Sequence, residues 1–357
     1  MKTIKVKYVG FWREFEPEND NNVLVNAIKR HYIIEESDNP DYIICSVFRI
    51  KDIGYYDYCR YPQIRIMYSG ENYIPDLNLV DYAVSSYPIK LQDRHLCFPV
   101  FLDNHNGRFD ALKNKNRDYT PEILLEKPFF ANFIAGHESE FNIRGDFFKR
   151  LSEYKRVESF GSYLNNQENN QIVTIKNKTE QQKKCKFTLC FESTKHEGFI
   201  TEKITDAFFA DTIPVYYGSS DVTHYFNENA FINCSDYDSF EAVIQKIIEI
   251  DNDDEKYLSM LRQPIFRDID YICKMEEDLD RFVCNIFEQP LDKARRRSRV
   301  YCPESHEKYI LGLKDFQDAL DLKEKKIKLS KIKHPKWFKC KKWFKKKKNN
   351  LLEILRY

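Results

Sequence analysis

Glu202 and Lys203 stand side by side in the stretch FTLCFESTKHEGFITEKITDAFFADTIPVYYG, residues 187–218. A lysine beside the free N–H groups of a helix start suits a diphosphate, and a carboxylate there offers two acceptors to ribose hydroxyls. The same pair also suits an ordinary solvated first turn. Glu71 follows an apolar run, Ile64 to Tyr68, in the turn Ser69-Gly70-Glu71-Asn72. A carboxylate at the rim of a buried strand can serve as a general base or simply stabilise its turn. Arg144 lies near the start of another helical pattern, where a guanidinium can grip phosphate bidentately or stand as a surface charge. His137 and His196 fall in loops near these groups and suit either a ligand contact or a solvated ring. No His/Asp/Glu cluster has metal-ligand spacing, and Asp251 to Asp254 reads as a solvated turn after a helix. Lys203, Arg144 and the helix dipole are therefore expected to neutralise a diphosphate with no metal required.

These groups need elements to hold them. Phe187 to Phe191 and Thr212 to Tyr217 read as buried strands around a helix from Thr201, a plausible N-cap, to Phe209. Strand, helix, strand is a βαβ unit, and such units offer a crevice at the carboxyl ends of their strands. Further strands are expected at 2–9, 42–47, 64–68, 82–85, 129–135, 157–161 and 231–233. Helical patterns run over 22–30, 143–154 and 239–250, then over 255–288 with a break at Pro264. Alternating strands and helices predict an α/β chain in two domains. The first is placed at 1–118, a linker at 119–127 and a second α/β domain at 128–290. A helical and basic tail fills 291–357. Residues 103–127 are polar, with Asn104, Asn106, Asn114 and Asn116, and read as a loop leading into the linker.

The stretch CFESTKHEGFITEKITDAFFADTIPVYYG resembles the donor motif of the bacterial α1,3/4-fucosyltransferases, and YSGENYIPDLNLVDYA resembles their GEN segment. The resemblance covers about 1–275 and is strongest over 185–250. It implies two facing Rossmann-like domains of the GT-B type. It implies that Glu202 holds the ribose of GDP-fucose, that Lys203 and Arg144 hold its diphosphate, and that Glu71 is the base. Glu192, Ser193 and Phe199 fall at donor-side positions. Ser193 stands where the family often has Asn, and Phe199 where it usually has Tyr, so the hydroxyl contact at that aromatic position is lost. Asn72 and Asp76 are implied on the acceptor side, with Pro75 and Asp81 shaping the loop. The implied reaction is inverting α1,3-fucosylation of the GlcNAc in a Gal-β1,4-GlcNAc acceptor, for a bacterial surface polysaccharide of Lewis type. Transfer with 1,4 or dual linkage, another sugar-nucleotide donor, and a non-catalytic glycan- or nucleotide-binding protein are the alternatives.

The chain has 357 residues, 42% hydrophobic and 15% aromatic, enough for two cores. The start, MKTIKVKYVGFW, has no signal-peptide pattern, and no run has the length of a membrane span. Ten cysteines without a CxxC pair read as reduced thiols. Residues 323–348 carry fourteen Lys against one Glu, leaving the rest of the chain at −12 within a total of +1. Trp337, Cys340, Phe344 and Leu351 fall near one helical face of this basic stretch. A basic amphipathic helix at 323–357 suits an anionic membrane surface better than nucleic acid. The expected location is therefore cytoplasmic, peripheral on the inner face of the membrane. The DDLR-type heptad repeats of similar enzymes are not visible in 290–330, which implies a short or missing spacer.

Overall fold

A computed structural model describes residues 1–333, save 14, 19–21, 49–55, 104–106, 175–176, 299 and 301. The first domain holds β1 (Lys2–Val9), α1 (Val23–His31), β2 (Tyr32–Glu36), β3 (Tyr42–Cys45), β4 (Ile64–Ser69), β5 (Tyr82–Ser85) and β6 (His95–Cys97). These strands form one parallel sheet in the order β2-β1-β3-β4-β5-β6. Parallel strands are covered on both faces, which is why β3, β4 and β5 are wholly buried and read as continuous apolar runs. Asn22 caps α1 by accepting from the Val25 N–H at 3.1 Å.

The polar stretch 103–127 folds in part as a helix, α2 (Arg108–Lys113), and not wholly as a loop. Its residues 104–106 lie outside the described residues. The segment 115–119, running into the expected linker at 119–127, is docked on the second domain. Lys115 reaches the Phe209 carbonyl and Asp211, both at 2.8 Å, and the Tyr119 hydroxyl donates to Asp211. Between them the Arg117 guanidinium lies 5.4 Å over the Phe208 ring.

The second domain runs through β7 (Phe129–Phe133), α3 (Ile143–Tyr154), β8 (Val157–Ser159), α4 (Lys178–Lys183), β9 (Cys185–Phe191), α5 (Glu202–Phe209) and β10 (Ile213–Tyr217). It continues with α6 (Val222–Tyr225), β11 (Ile232–Asn233), α7 (Phe240–Asp251) and α8 (Asp254–Leu261). Its sheet is parallel in the order β11-β10-β9-β7-β8. The chain goes from β7 to β8 on one side and crosses back to β9 on the other. Strand order therefore reverses between β7 and β9, and a crevice opens there at their carboxyl ends.

The last segments correct the expected boundaries. α9 (Ile269–Glu288) follows the second domain in sequence but packs on the first. Phe287 meets the Tyr42 ring at 4.7 Å, Phe282 meets Tyr82 at 6.1 Å, and Arg30 pairs with Asp280 at 2.6 Å. The short α10 (Leu291–Ala294) leads to α11 (Pro303–Lys333), a 31-residue helix where a short or missing spacer was expected. Its first half is part of the body. Glu307 pairs with Arg65 at 3.1 Å and Arg297 at 3.3 Å, and Lys314 pairs with Asp57 at 3.0 Å. Buried Asp81 takes the Arg296 and Arg297 N–H groups at 2.6 and 2.9 Å and pairs with the Arg297 guanidinium. Residues 334–357, with the aromatic side chains of the basic tail, lie outside the described residues. Among the described residues all nine cysteines are unpaired, and no helix is long and apolar enough to cross a membrane.

Candidate active site

At the crevice of the second domain, α3 starts beyond β7 with Arg144 buried. Its Nε and Nη2 donate to the Phe191 carbonyl at the end of β9, at 3.1 and 2.8 Å, and Nη1 donates to the His137 carbonyl at 3.2 Å. The guanidinium thus ties the two loops that flank the strand-order reversal. Burial pushes it below the ordinary arginine value, against the pull of the Glu192, Glu138 and Glu202 carboxylates. The His137 side chain itself is exposed.

Glu192 follows β9 and is 2% exposed. Its Oε1 accepts from the Thr201 N–H at 2.8 Å, and its Oε2 accepts from the Lys203 ammonium at 2.9 Å. The Thr201 hydroxyl lies 2.9 Å from both oxygens. Gly218 leaves room for this carboxylate, since a Cβ there would come within 2.7 Å of the Glu192 Cγ. Thr201 occupies the N-cap position of α5, but its hydroxyl turns to Glu192 and makes no cap bond. The first-turn N–H groups of α5 therefore lack a side-chain cap. Burial would lower the Lys203 pKa, but the Glu192 and Glu202 carboxylates outweigh it and hold the ammonium charged well above ordinary lysine. Glu192 thus braces Lys203 from below, and Glu202 stands half-exposed at the helix start, 3.9 Å from the same ammonium.

Glu71 and Glu202 line one cavity of about 500 Å³ between the two domains. Glu71 comes from the end of β4 in the first domain, and Glu202 from α5 in the second. The Glu71 carboxylate is exposed and makes no side-chain hydrogen bond among the described residues, while its N–H donates to Ser69 Oγ at 3.3 Å. The walls add Trp12, Phe48 and Tyr68 from the first domain, and Phe101 and Phe109 from the stretch leading into and through α2. Aromatic faces of this kind suit the apolar side of a pyranose ring.

Four further charges in the cavity escaped the sequence reading. Buried Asp206 accepts from Arg108 at 2.8 Å and from Lys178 at 2.5 Å. Asp206 sits four residues after Glu202 on α5, so helical spacing alone puts it on the same face. Arg108 and Lys178 carry no such signal, since both lie in polar stretches without periodicity. Asp103 also lines the cavity and accepts from the Tyr68 hydroxyl at 2.7 Å.

The other expected residues are placed differently. Phe199 is buried, and its ring meets His196 at 5.0 Å. Ser193 is half-buried in the loop after Glu192. The Asn72 amide does not face the cavity walls but joins the domains: its Oδ1 accepts from Tyr87 at 2.5 Å, and its Nδ2 donates to Thr194 Oγ1 at 2.7 Å. Asp76 shapes its own turn by accepting from the Asn78 N–H at 2.8 Å, and it faces His306 of α11 at 3.9 Å. The structure therefore brings Glu71 and Glu202 to one cavity and sets Lys203 and Glu192 beside Glu202, while Arg144 and Asp76 stand outside the cavity lining.

Family models match both halves of the chain. The C-terminal model of glycosyltransferase family 10 (fucosyltransferase) matches residues 124–303, and the N-terminal domain model of the alpha-(1,3)-fucosyltransferase FucT matches 6–103. The alpha-(1,3)-fucosyltransferase FucT of Helicobacter pylori is 30% identical over 292 residues, covering 72% of this chain and 59% of its own length. Human 4-galactosyl-N-acetylglucosaminide 3-alpha-L-fucosyltransferase 9 is 36% identical over 149 residues, 39% of each chain. The chain thus spans less than two thirds of the length of these relatives. Among solved structures, an alpha1,3-fucosyltransferase superposes with a TM-score of 0.70 at 26% identity, over 84% of this chain and 93% of that one. An alpha1,3-fucosyltransferase with GDP-fucose superposes with a TM-score of 0.60 at 25% identity, over 78% and 91%.

Proposed function

We propose, from the premise that the chain belongs to glycosyltransferase family 10, the fucosyltransferases, that it moves L-fucose from GDP-β-L-fucose to a glycan hydroxyl with inversion. The observation that carries this reading is the shared cleft, where Glu71 of one domain and Glu202 beside Lys203 of the other stand around a volume of about 500 Å³. The donor lies on the second domain. Glu202 accepts from the ribose hydroxyls, and Lys203, Arg144 and the α5 N-terminus face the diphosphate. The acceptor enters along the aromatic wall of Trp12, Phe48 and Tyr68.

Glu71 takes the proton of the acceptor hydroxyl as that oxygen bonds to C1 of fucose. The bond from C1 to the β-phosphate oxygen breaks on the opposite face, and its electron pair leaves with GDP. Negative charge then grows on the phosphate beneath Lys203 and the helix N-terminus, which are fixed before the reaction starts. Attack and departure on opposite faces turn the β-linked donor into an α-linked product. This charge arrangement supplies the neutralisation with no metal required.

The acceptor in this reading is the GlcNAc of a Gal-β1,4-GlcNAc unit, joined by an α1,3 linkage, in a surface polysaccharide of Lewis type. The fucosyltransferase 9 relatives, which match over 39% of this chain, carry 4-galactosyl-N-acetylglucosaminide in their names and support that choice. The basic stretch 323–357 holds the protein to the inner face of the cytoplasmic membrane. Sedimentation with vesicles of anionic lipid, lost on removal of 334–357, checks that location.

The test of function is GDP release from GDP-fucose with N-acetyllactosamine and EDTA present. Acceptor-dependent release is the expected result, and an α1,3 linkage in the product fixes the regiochemistry. Absence of both GDP binding and release overturns the donor assignment.

A further inference from the structure

We propose that Asn72 and Thr194 are positioning residues for Glu71, tying the base to the donor-side cluster across the domain boundary. The inference rests on the fucosyl-transfer reading. Glu71 has no side-chain partner among the described residues, so its backbone sets its direction. On its C-terminal side the next residue is held at both ends. Asn72 Oδ1 accepts from the Tyr87 hydroxyl at 2.5 Å, and Asn72 Nδ2 donates to Thr194 Oγ1 at 2.7 Å. The Tyr73 N–H closes the turn on the Glu71 carbonyl at 2.7 Å.

Thr194 belongs to the loop 193–200, whose ends are pinned together by the bonds between Glu192 and Thr201. The same Glu192 holds Lys203. The body of the loop is pressed against the first domain at two further places. The His196 ring stacks on Tyr87 with centroids 4.4 Å apart and planes 15° apart. Gly198 has a φ of +82°, and a Cβ there would fall 2.0 Å from the Ser86 carbonyl oxygen. Only glycine permits both that backbone angle and that approach. The loop is thus closed on the donor side and clamped on the acceptor side, with Thr194 as its hydrogen bond to the residue after the base. Loss of that bond leaves donor and acceptor sites intact but frees the turn that aims Glu71, and misplacement of a reacting group by about 1 Å can cost on the order of 100-fold in rate.

The test uses the full chain and the variants Thr194→Val, Thr194→Ser and Tyr87→Phe. Thr194→Val removes the hydroxyl acceptor at nearly constant volume. Expected for it is a fall in kcat on the order of 10- to 100-fold, with the GDP Kd and the acceptor KM both within about 2-fold of wild type. Thr194→Ser is expected to restore kcat. Tyr87→Phe keeps the stack but drops the second bond to Asn72, and is expected to lower kcat in the same direction. It serves as the deciding variant if Thr194→Val fails to fold. Wild-type kcat in both variants overturns the inference. So does a rise in acceptor KM with kcat kept, which would make Asn72 an acceptor contact. A rise in GDP Kd that matches the loss of rate would assign the loop to donor binding instead and overturn it likewise. If the wild-type chain shows no transfer from GDP-fucose, the fucosyl-transfer reading falls and this inference with it. A failure confined to the variants overturns the positioning role alone.

Discussion

The two strand ends that meet at the cleft handle charge in opposite ways. Around α5 the charges are buried and answered: Glu192 holds Lys203 and Thr201, and Arg144 is tied to carbonyls of two loops. At the end of β4 a single carboxylate, Glu71, stands exposed with no side-chain partner among the described residues. A diphosphate needs positive charge fixed before it arrives, because reorganising charges during the reaction costs rate. A base needs the reverse, a lone pair that no neighbour occupies. On the proposed function, this contrast makes the second domain the one that binds the donor and the first the one that receives a proton.

The sharpest way to break this comparison is Glu71→Gln, which keeps shape and removes basicity. The expected loss in kcat is about 10²- to 10⁴-fold, with the GDP Kd from calorimetry unchanged. A weakened GDP complex would put Glu71 on the binding side. Next in size is Lys203→Met. It removes a phosphate partner and leaves the Glu192 carboxylate buried without its cation, a loss worth about 3–5 kcal/mol for a buried pair. Both GDP affinity and the thermal midpoint are expected to fall, and the double variant Lys203→Met with Glu192→Gln should recover stability without recovering affinity. Trp12→Ala tests the first-domain wall. The acceptor KM should rise on the order of 10-fold, as loss of an aromatic platform worth about 1 kcal/mol or more predicts, while the GDP Kd stays put. A change in GDP Kd there would move the donor across the cleft.

The smallest effect concerns where the first domain keeps its own paired charges. They lie beneath α11, away from the cleft. Burial opposes ionisation of Glu307, but the Arg65 and Arg297 guanidinia outweigh it and hold its carboxyl below the ordinary glutamate range. As pH falls, the unfolded chain takes up this proton first. The linked stability is therefore full above the ordinary glutamate value and declines as pH drops through it to the lowered folded value. Urea midpoints measured against pH should show this decline, and Glu307→Gln should flatten it.

The βαβ unit at 185–217, the helix 143–154 and the rim positions of Glu71 and Glu202 were legible because apolar runs, caps and glycines mark them locally. β2 was missed because it leaves α1 at Tyr32 with no turn residue between, and β6 because three residues show no period. The homing of α9 on the first domain is a tertiary fact. Its stripe of Leu279, Phe282, Val283 and Ile286 announces a helix but not which sheet it covers. Glu192 is read from sequence as a ligand to the donor, and burial gives it instead to Lys203, a distinction that motif and spacing do not contain. Asn72 reads from sequence as an acceptor-side residue, and only the fold shows its bonds to Tyr87 and Thr194.

The 31 residues of α11 rise about 45 Å along a straight helix axis. The first three turns or so are bolted to the body through Glu307 and Lys314, and residues 322–329 beyond them stand exposed. On the proposed membrane binding of 323–357, the helix is a strut whose length sets how far the cleft is held from that surface. Lengthening or shortening it by whole turns would change the reach of the cleft toward a glycan anchored in that surface, without touching a single residue of the cleft.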